Sequence, residues 1–227
     1  MSVSKKALIF EGPGFSDQGD LVENLKARRF EVEKVFVSSA LLGREIHSLE
    51  SADFVLLRGS WTAAPEDMAM AQLLGLRLRH AFMKVKSSGG FKKHQKVVAV
   101  GRGALALWAT GFYDSLALHQ VPWKEALTED GPFLQCHLPQ TQGRLLGLVQ
   151  GRALPIPVLP KLDVWLTRGM DVLGWSKGSV YMTLVDIFAY SDRTQLDDFG
   201  YTDLLSFPVQ GHVLDALLSG DLAGHSP

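Results

Sequence analysis

Between Lys96 and Tyr113 the chain reads KVVAVGRGALALWATGFY, a stretch that leaves few choices of local structure. Val97, Val98, Ala99 and Val100 form a short apolar, β-rich run suited to a buried strand. Gly101 and Gly103 permit a sharp turn and a close backbone approach. Ala104 to Ala109, rich in alanine and leucine, then favours a helix. In several α/β enzymes a nucleophile stands on such a strand-to-helix elbow. Here the elbow carries Gly101, Arg102 and Gly103, and no Ser, Cys, Thr, Asp or Lys.

The chain before the elbow repeats the same alternation. Residues 5–10, KKALIF, read as a strand, followed by the loop Glu11-Gly12-Pro13-Gly14-Phe15. Ser16 or Asp17 can cap a helix whose apolar side carries Leu21, Val22 and Leu25, with the alkyl part of Arg28. Phe30 to Val37 alternates apolar and charged residues, the pattern of a second strand, and residues 39–50 suit a short helix. Asp53 to Arg58 is a third strand running into Gly59-Ser60-Trp61. Pro65 fits the first turn of a long helix with a stripe of Met70, Leu74, Leu78, Ala81, Phe82 and Val85, ended by Ser87-Ser88-Gly89-Gly90. This order predicts an α/β fold, a flavodoxin-like three-layer αβα arrangement with a mostly parallel central sheet and helices on both faces.

After Tyr113 the pattern changes, and extra strands are expected in the C-terminal half. Phe133 to Leu138, Leu145 to Val149, Ala153 to Leu159 and Tyr181 to Ala189 are the candidates. Pro155, Pro157 and Pro160 place the third of these at an edge or in an extended segment. Leu204 to Phe207 precedes Pro208, Val213 to Leu218 resembles a short closing helix, and 220–227 reads as a frayed tail. With 227 residues and no convincing linker, one domain over 1–227 is expected.

Composition narrows the classes of function. A formal net charge of −1 gives no global field for nucleic acid or an anionic membrane. No run approaches the ~20 apolar residues of a membrane span, and the apolar run near the start has strand length rather than the form of a signal peptide. The single cysteine, Cys136, excludes an intramolecular disulfide and a cysteine-based metal cluster. A cytoplasmic protein without nucleic-acid or membrane partners, metal or cofactor is the expectation. Charge is uneven, however. Arg77 to Lys96 contains seven cations, Arg77, Arg79, Lys84, Lys86, Lys92, Lys93 and Lys96, and no acid. Asp186 to Asp221 is dominated by aspartates. These are either two solvated surfaces or an anion-facing patch and an acidic docking face.

With these elements in order, the chain up to about Tyr113 resembles a class I glutamine amidotransferase domain, and within that family the glutaminase part of formylglycinamidine ribonucleotide amidotransferase. ALIFEGPGFSDQGDLVENLKARRFEVEKV is similar to the family's opening strand, glycine loop, helix and second strand. DFVLLRGSW resembles the segment where the family has a strand ending in Pro-Gly-Gly, and VVAVGRGALAL the elbow where it has Gly-x-Cys-x-Gly. GRALPIPV and LLSFPVQGHVLDALL resemble its Leu-Pro-Ile-Ala-His stretch and its closing Pro-His-Pro-Glu-Arg segment.

The departures fall on functional positions. The resemblance places Gly101 at the nucleophilic cysteine, Val209 at the activating histidine, Gly211 at the orienting glutamate, Val158 at a further family histidine, and Arg58-Gly59-Ser60 at Pro-Gly-Gly. Gly101 has no side chain to attack an amide, and Val209 accepts no proton. The resemblance therefore implies a non-catalytic, degenerate amidotransferase-like protein, a binding or regulatory module with glutaminase activity absent. Two other readings stay open. One is an enzyme of another class, binding a small anionic ligand in the crevice through Glu11, Arg58, Gly59, Ser60, Gly101 and Arg102, with Glu11 as acid or base. The other is an active amidotransferase of purine biosynthesis if the alignment is wrong; a shifted register could bring in His212 but restores no nucleophile, since the single cysteine, Cys136, lies well past the elbow. A protein partner or a second copy of the chain could dock on the region after Asp114. Trp61 and Trp108, beside the two turns, could floor a pocket. Cys136 and His137 are neighbours on an expected strand and point to opposite faces, so they do not form an attacking pair. The other histidines show no metal-ligand spacing.

Overall fold

The computed structural model describes residues 5–12, 14–15, 19–37, 49–59, 65–112, 117–127, 133–149, 153–158, 163–189, 208 and 210–220. The expected helix caps Ser16 and Asp17, most of the 39–50 helix, the 204–207 segment and the 221–227 tail lie outside these residues.

The first strands form where apolar runs need cover on both faces. Strands β1 (Lys5–Glu11), β3 (Phe54–Gly59) and β4 (Lys96–Gly101) are almost wholly buried between their ends. Strand β2 (Phe30–Phe36) carries Glu31, Glu33 and Lys34, as suits the edge it occupies. The nine-stranded sheet runs β2-β1-β3-β4-β11-β10-β9-β6-β7. Its first five strands are parallel, with β11 (Val180–Thr183) beside β4. The chain steps from β1 to one side and from β3 to the other, so right-handed crossovers put their helices on opposite faces. Helix α1 (Gly19–Ala27) connects β1 to β2, and α2 (Pro65–Ser87) connects β3 to β4. A doubly wound sheet of this order has its switch point between β1 and β3, where ligands bind at the carboxyl ends of the strands.

Helix α3 (Arg102–Ala109) leaves β4 and packs on α2. A Cβ on Gly75 of α2 would lie 2.4 Å from the Ala109 Cβ and 2.7 Å from the Ala106 carbonyl oxygen, so only glycine lets these helices approach so closely. Helix α4 (Gln210–Ser219), slightly longer than its sequence pattern, is tied to α1. The Arg28 guanidinium just beyond α1 donates Nε to Asp215 Oδ1 at 2.5 Å, and Nη2 to Asp215 Oδ2 at 2.8 Å and to the Gly211 carbonyl at 2.9 Å.

The other sheet strands are antiparallel: β6 (Phe133–Leu138), β7 (Gly143–Leu148), β9 (Asp163–Arg168) and β10 (Asp171–Lys177). The expected strands at 133–138 and 145–149 are present. The one expected over 181–189 keeps its start and turns away after Thr183. Strands β9 and β10 lacked any sequence expectation. Two-residue turns, Gly169-Met170 and Gly178-Ser179, join β9, β10 and β11, each with its glycine at positive φ (56° and 60°). Beyond β11, Leu148 and Asp186 exchange backbone hydrogen bonds at 2.9 Å, so β7 returns to the segment that follows β11. Trp165 fills the space beneath, its indole N–H shared between the Trp175 and Met182 carbonyls at 3.0 and 3.1 Å. Strand β8 (Ala153–Pro157), with its prolines, pairs with β5 (Trp123–Leu127) in a separate two-stranded sheet.

The Arg28–Asp215 link gives acid sensitivity with a definite sign. Its hydrogen bond to Arg28 holds the Asp215 carboxyl below the ordinary value of 3.8. A depressed folded-state pKa contributes stability above the unfolded value, and that contribution is lost as pH falls through the folded value. Asp215→Asn is expected to lower stability by about 0.5–1 kcal/mol at neutral pH, the pair being half exposed. Chemical denaturation at a series of pH values should show the gap from the parent closing below pH 3.8. A gap independent of pH would contradict this role.

Candidate functional site

The switch point brings together the carboxyl ends of β1, β3 and β4. At its centre Gly101 pairs with Gly59 and ends β4 at φ 58°, ψ −122°, a conformation that costs a residue with a side chain about 1–3 kcal/mol. A Cβ on Gly103 would stand 2.1 Å from the Leu57 carbonyl oxygen, so the elbow's helix lies directly on β3. A Cβ on Gly59 would stand 2.5 Å from the Gly14 carbonyl oxygen and 3.1 Å from Arg102 Cβ. The loop after β1 therefore closes over the end of β3, backbone against backbone. Gly14, at φ 91°, is in turn pressed against Leu74 and Met70 of α2.

Each charged candidate is engaged by another part of the chain. Arg102, the first residue of α3, donates Nη1 to the Gly14 carbonyl at 3.1 Å and Nε to Asp67 Oδ1 at 3.0 Å, and its Nη2 also meets that oxygen. Asp67 lies in the first turn of α2, where a carboxylate suits the helix dipole, and is only 5% exposed. Arg58 donates Nε to Asp186 at 2.9 and 3.1 Å, with Nη2 2.8 Å from Oδ2. Asp186 Oδ1 also accepts the Phe188 N–H at 3.0 Å. Glu11 turns to β2, its Oε1 2.8 Å from Lys34 Nζ. Arg58, Arg102 and Glu11 thus lead to three different partners in three different parts of the chain. Gly59 and Gly101 are brought side by side, and Ser60 lies outside the described residues.

The positions matched to the family's relay fare similarly. Val209 lies outside the described residues. Gly211 serves as a backbone anchor, its carbonyl accepting from Arg28, and its neighbour Gln210 is buried. Gln210 Nε2 donates to the Phe188 carbonyl at 2.8 Å, while its Oε1 accepts from Asn24 Nδ2 at 2.8 Å. Val158 is half exposed beyond β8. Trp108 belongs to the core, 3% exposed with its ring centroid 5.1 Å from that of Trp175, and Trp61 is outside the described residues.

Cys136 is fully buried on β6, and its Sγ donates to the Leu134 carbonyl at 3.4 Å. Burial pushes its thiol up to about 12, so it stays protonated and is a poor nucleophile. Among the described residues, no group of three or more His, Cys, Asp or Glu side chains could hold a metal, and no helix is long and apolar enough to cross a membrane.

Sequence reasoning missed Asp67, Asp186 and Gln210, the groups that complete these clamps. Asp186 carried a usable signal. A single carboxylate inside the apolar run LVDIFAY needs a cation or several donors if it is enclosed.

This arrangement of strands and elbow has counterparts among solved structures. PurLQS from Thermotoga maritima superposes with a TM-score of 0.58 at 13% identity, over 96% of this chain and 99% of that one. The chain has a class I glutamine amidotransferase-like fold. A glutamine amidotransferase from Thermotoga maritima gives 0.54 at 12% identity, covering 97% of this chain and 96% of that chain. A further glutamine amidotransferase gives 0.51 at 13% identity, covering 95% and 98%. No protein-family model matches the sequence. No curated protein matches it either. At these identities the likeness establishes the amidotransferase-like fold and leaves activity to the residues at the site.

Cys136 supplies the check on this part of the chain. In the folded protein a disulfide reagent such as Ellman's should fail to label it while the urea-unfolded chain reacts fully. Rapid native labelling would show an accessible, ionisable thiol.

Proposed function

We propose that this chain is a degenerate, non-catalytic amidotransferase-like protein that works as a binding or regulatory module. The observation that carries the reading is Gly101. It stands at the turn of the strand-to-helix elbow, in the backbone conformation that would display a nucleophile, and it has nothing to display. Glutamine hydrolysis in the resembled family needs a thiolate, an imidazole to take its proton and a carboxylate to orient that imidazole. The matching positions are Gly101, Val209 and Gly211, none of which carries an ionisable group. The enclosed thiol of Cys136 is no substitute.

The packing of the switch point supports the same reading. Gly14 lies against Gly59 and Arg102, and the charged candidates are held by Lys34, Asp186 and Asp67. The side chains of Glu11, Arg58 and Arg102, the groups offered for an anionic ligand, here bind parts of the same chain. These engagements favour a stable scaffold that presents its outer surfaces over a second enzyme class using the same crevice. The name of the Thermotoga maritima relative does not extend to a place in purine synthesis for this protein.

Purified protein incubated with glutamine should release ammonia no faster than a buffer control, and Gly101→Cys alone should not restore release, since Val209 and Gly211 supply no relay. The substitution is also expected to lower stability by about 1–3 kcal/mol through the positive φ at this position. Ammonia release above the control, abolished by a substitution at the switch point, would overturn the proposal.

A further inference from the structure

The opposite edge of the parallel sheet has a different character. Where β1, β3, β4 and β11 begin, a depression of about 1060 Å³ opens beside the end of α4. That volume is ample for a small phosphorylated ligand. Lys5, Lys93 and Lys96 line it, along with Phe91 and Tyr181.

No carboxylate among the described residues neutralises these lysines. Among the described residues, none of the three has a carboxylate oxygen within 4.0 Å. Two of them rest against rings, with Lys5 Nζ 5.7 Å from the Phe30 centroid and Lys96 Nζ 5.7 Å from that of Tyr181. A ring face stabilises an ammonium without cancelling its charge. Burial, with Lys93 nearby, holds Lys96 below the ordinary lysine value, so a second charge of the right sign at this place would be welcome.

The acids on the walls do not reverse this balance. Asp53 Oδ2 accepts the Lys6 N–H at 2.8 Å, and its Oδ1 lies 4.0 Å from His94 Nε2. Asp163 stands on β9. Leaving His94 aside, the three lysines and two aspartates that line the depression leave one excess positive charge. The carboxyl end of α4, at Leu218 to Gly220, repels anions and confines an anionic ligand to the lysine side. Burial raises the Tyr181 phenol, which keeps it protonated and able to donate. The basic stretch between Arg77 and Lys96 thus reaches this depression through Lys93 and Lys96.

We propose that the amino edge of the parallel sheet binds a compact, multiply charged phosphate ligand between Lys5, Lys93 and Lys96, over Tyr181. Ammonium groups are compact point charges suited to phosphate oxygens. The site lies at the opposite edge from the elbow, so its failure leaves the non-catalytic reading where it stands.

Titration calorimetry with inorganic tripolyphosphate, on the full chain at low ionic strength, tests the site. One equivalent should bind, and added salt should weaken it. Lys93→Gln, a change on an exposed turn, should weaken binding about tenfold. Lys84→Gln, on the exposed side of α2 and outside the depression, should leave it unchanged. Absence of binding overturns the proposal, and so does binding that Lys93→Gln leaves intact or that Lys84→Gln weakens equally. Vesicles of phosphatidylcholine containing phosphatidylinositol 4-phosphate form the second arm. Binding to these vesicles without binding of tripolyphosphate overturns the assignment to a soluble ligand.

Discussion

The bond on which the switch point depends joins Arg102 to Asp67. A cation at the first residue of a helix opposes the helix dipole, so Arg102 needs a compensating charge. The carboxylate comes from the first turn of α2, where it is itself favoured. The same guanidinium reaches the Gly14 carbonyl, and with that contact three elements are fixed at once: the loop after β1, the start of α2 and the elbow. Losing one partner of an enclosed pair leaves the other charge uncompensated, at a cost of about 3–5 kcal/mol. Glycine makes the clamp possible, since Gly59 and Gly103 admit backbone contacts that any Cβ would block.

A fold of this kind ordinarily uses the carboxyl edge of its parallel strands for ligands. Here that edge is crossed by internal bonds: Arg102 with Asp67, Arg58 with Asp186, and Gln210 with Phe188 and Asn24. Asp186 couples the two halves of the sheet. Its backbone pairs with Leu148 of β7, while its carboxylate holds Arg58 of β3. The antiparallel half is thereby tied to the parallel half at the carboxyl end of β3. At the amino edge the balance is reversed, with lysines that lack carboxylate partners among the described residues.

Much of this was legible in the residues. The parallel half follows from apolar runs broken by glycine turns, and the elbow follows from the Gly101 and Gly103 spacing, because local chemistry decides both. Strands β9 and β10 were missed although DVWLTR-GM-DVLGWSK-GS-VYMT carries two glycine-first, two-residue turns, a hairpin signal. Gly174 within β10 and the interior Trp165 obscured the alternation, since strands covered on both faces lose their polar side. At the site, sequence identified Glu11, Arg58 and Arg102 as charged groups near one edge. Their partners were hidden, because Lys34, Asp186 and Asp67 are distant in sequence or lie in another element, and only folding chooses among the charged groups.

The central claim is that Arg102 and Asp67 form a structural clamp that ties the loop after β1 and the start of α2 to the elbow. A double-mutant cycle on stability tests it most directly, using Arg102→Ala, Asp67→Ala and the double variant in chemical denaturation. The clamp predicts a coupling of about 1–3 kcal/mol, with the double variant much less destabilised than the sum of the singles. Additivity within about 0.5 kcal/mol would contradict the account, leaving Arg102 without a structural bond at the elbow.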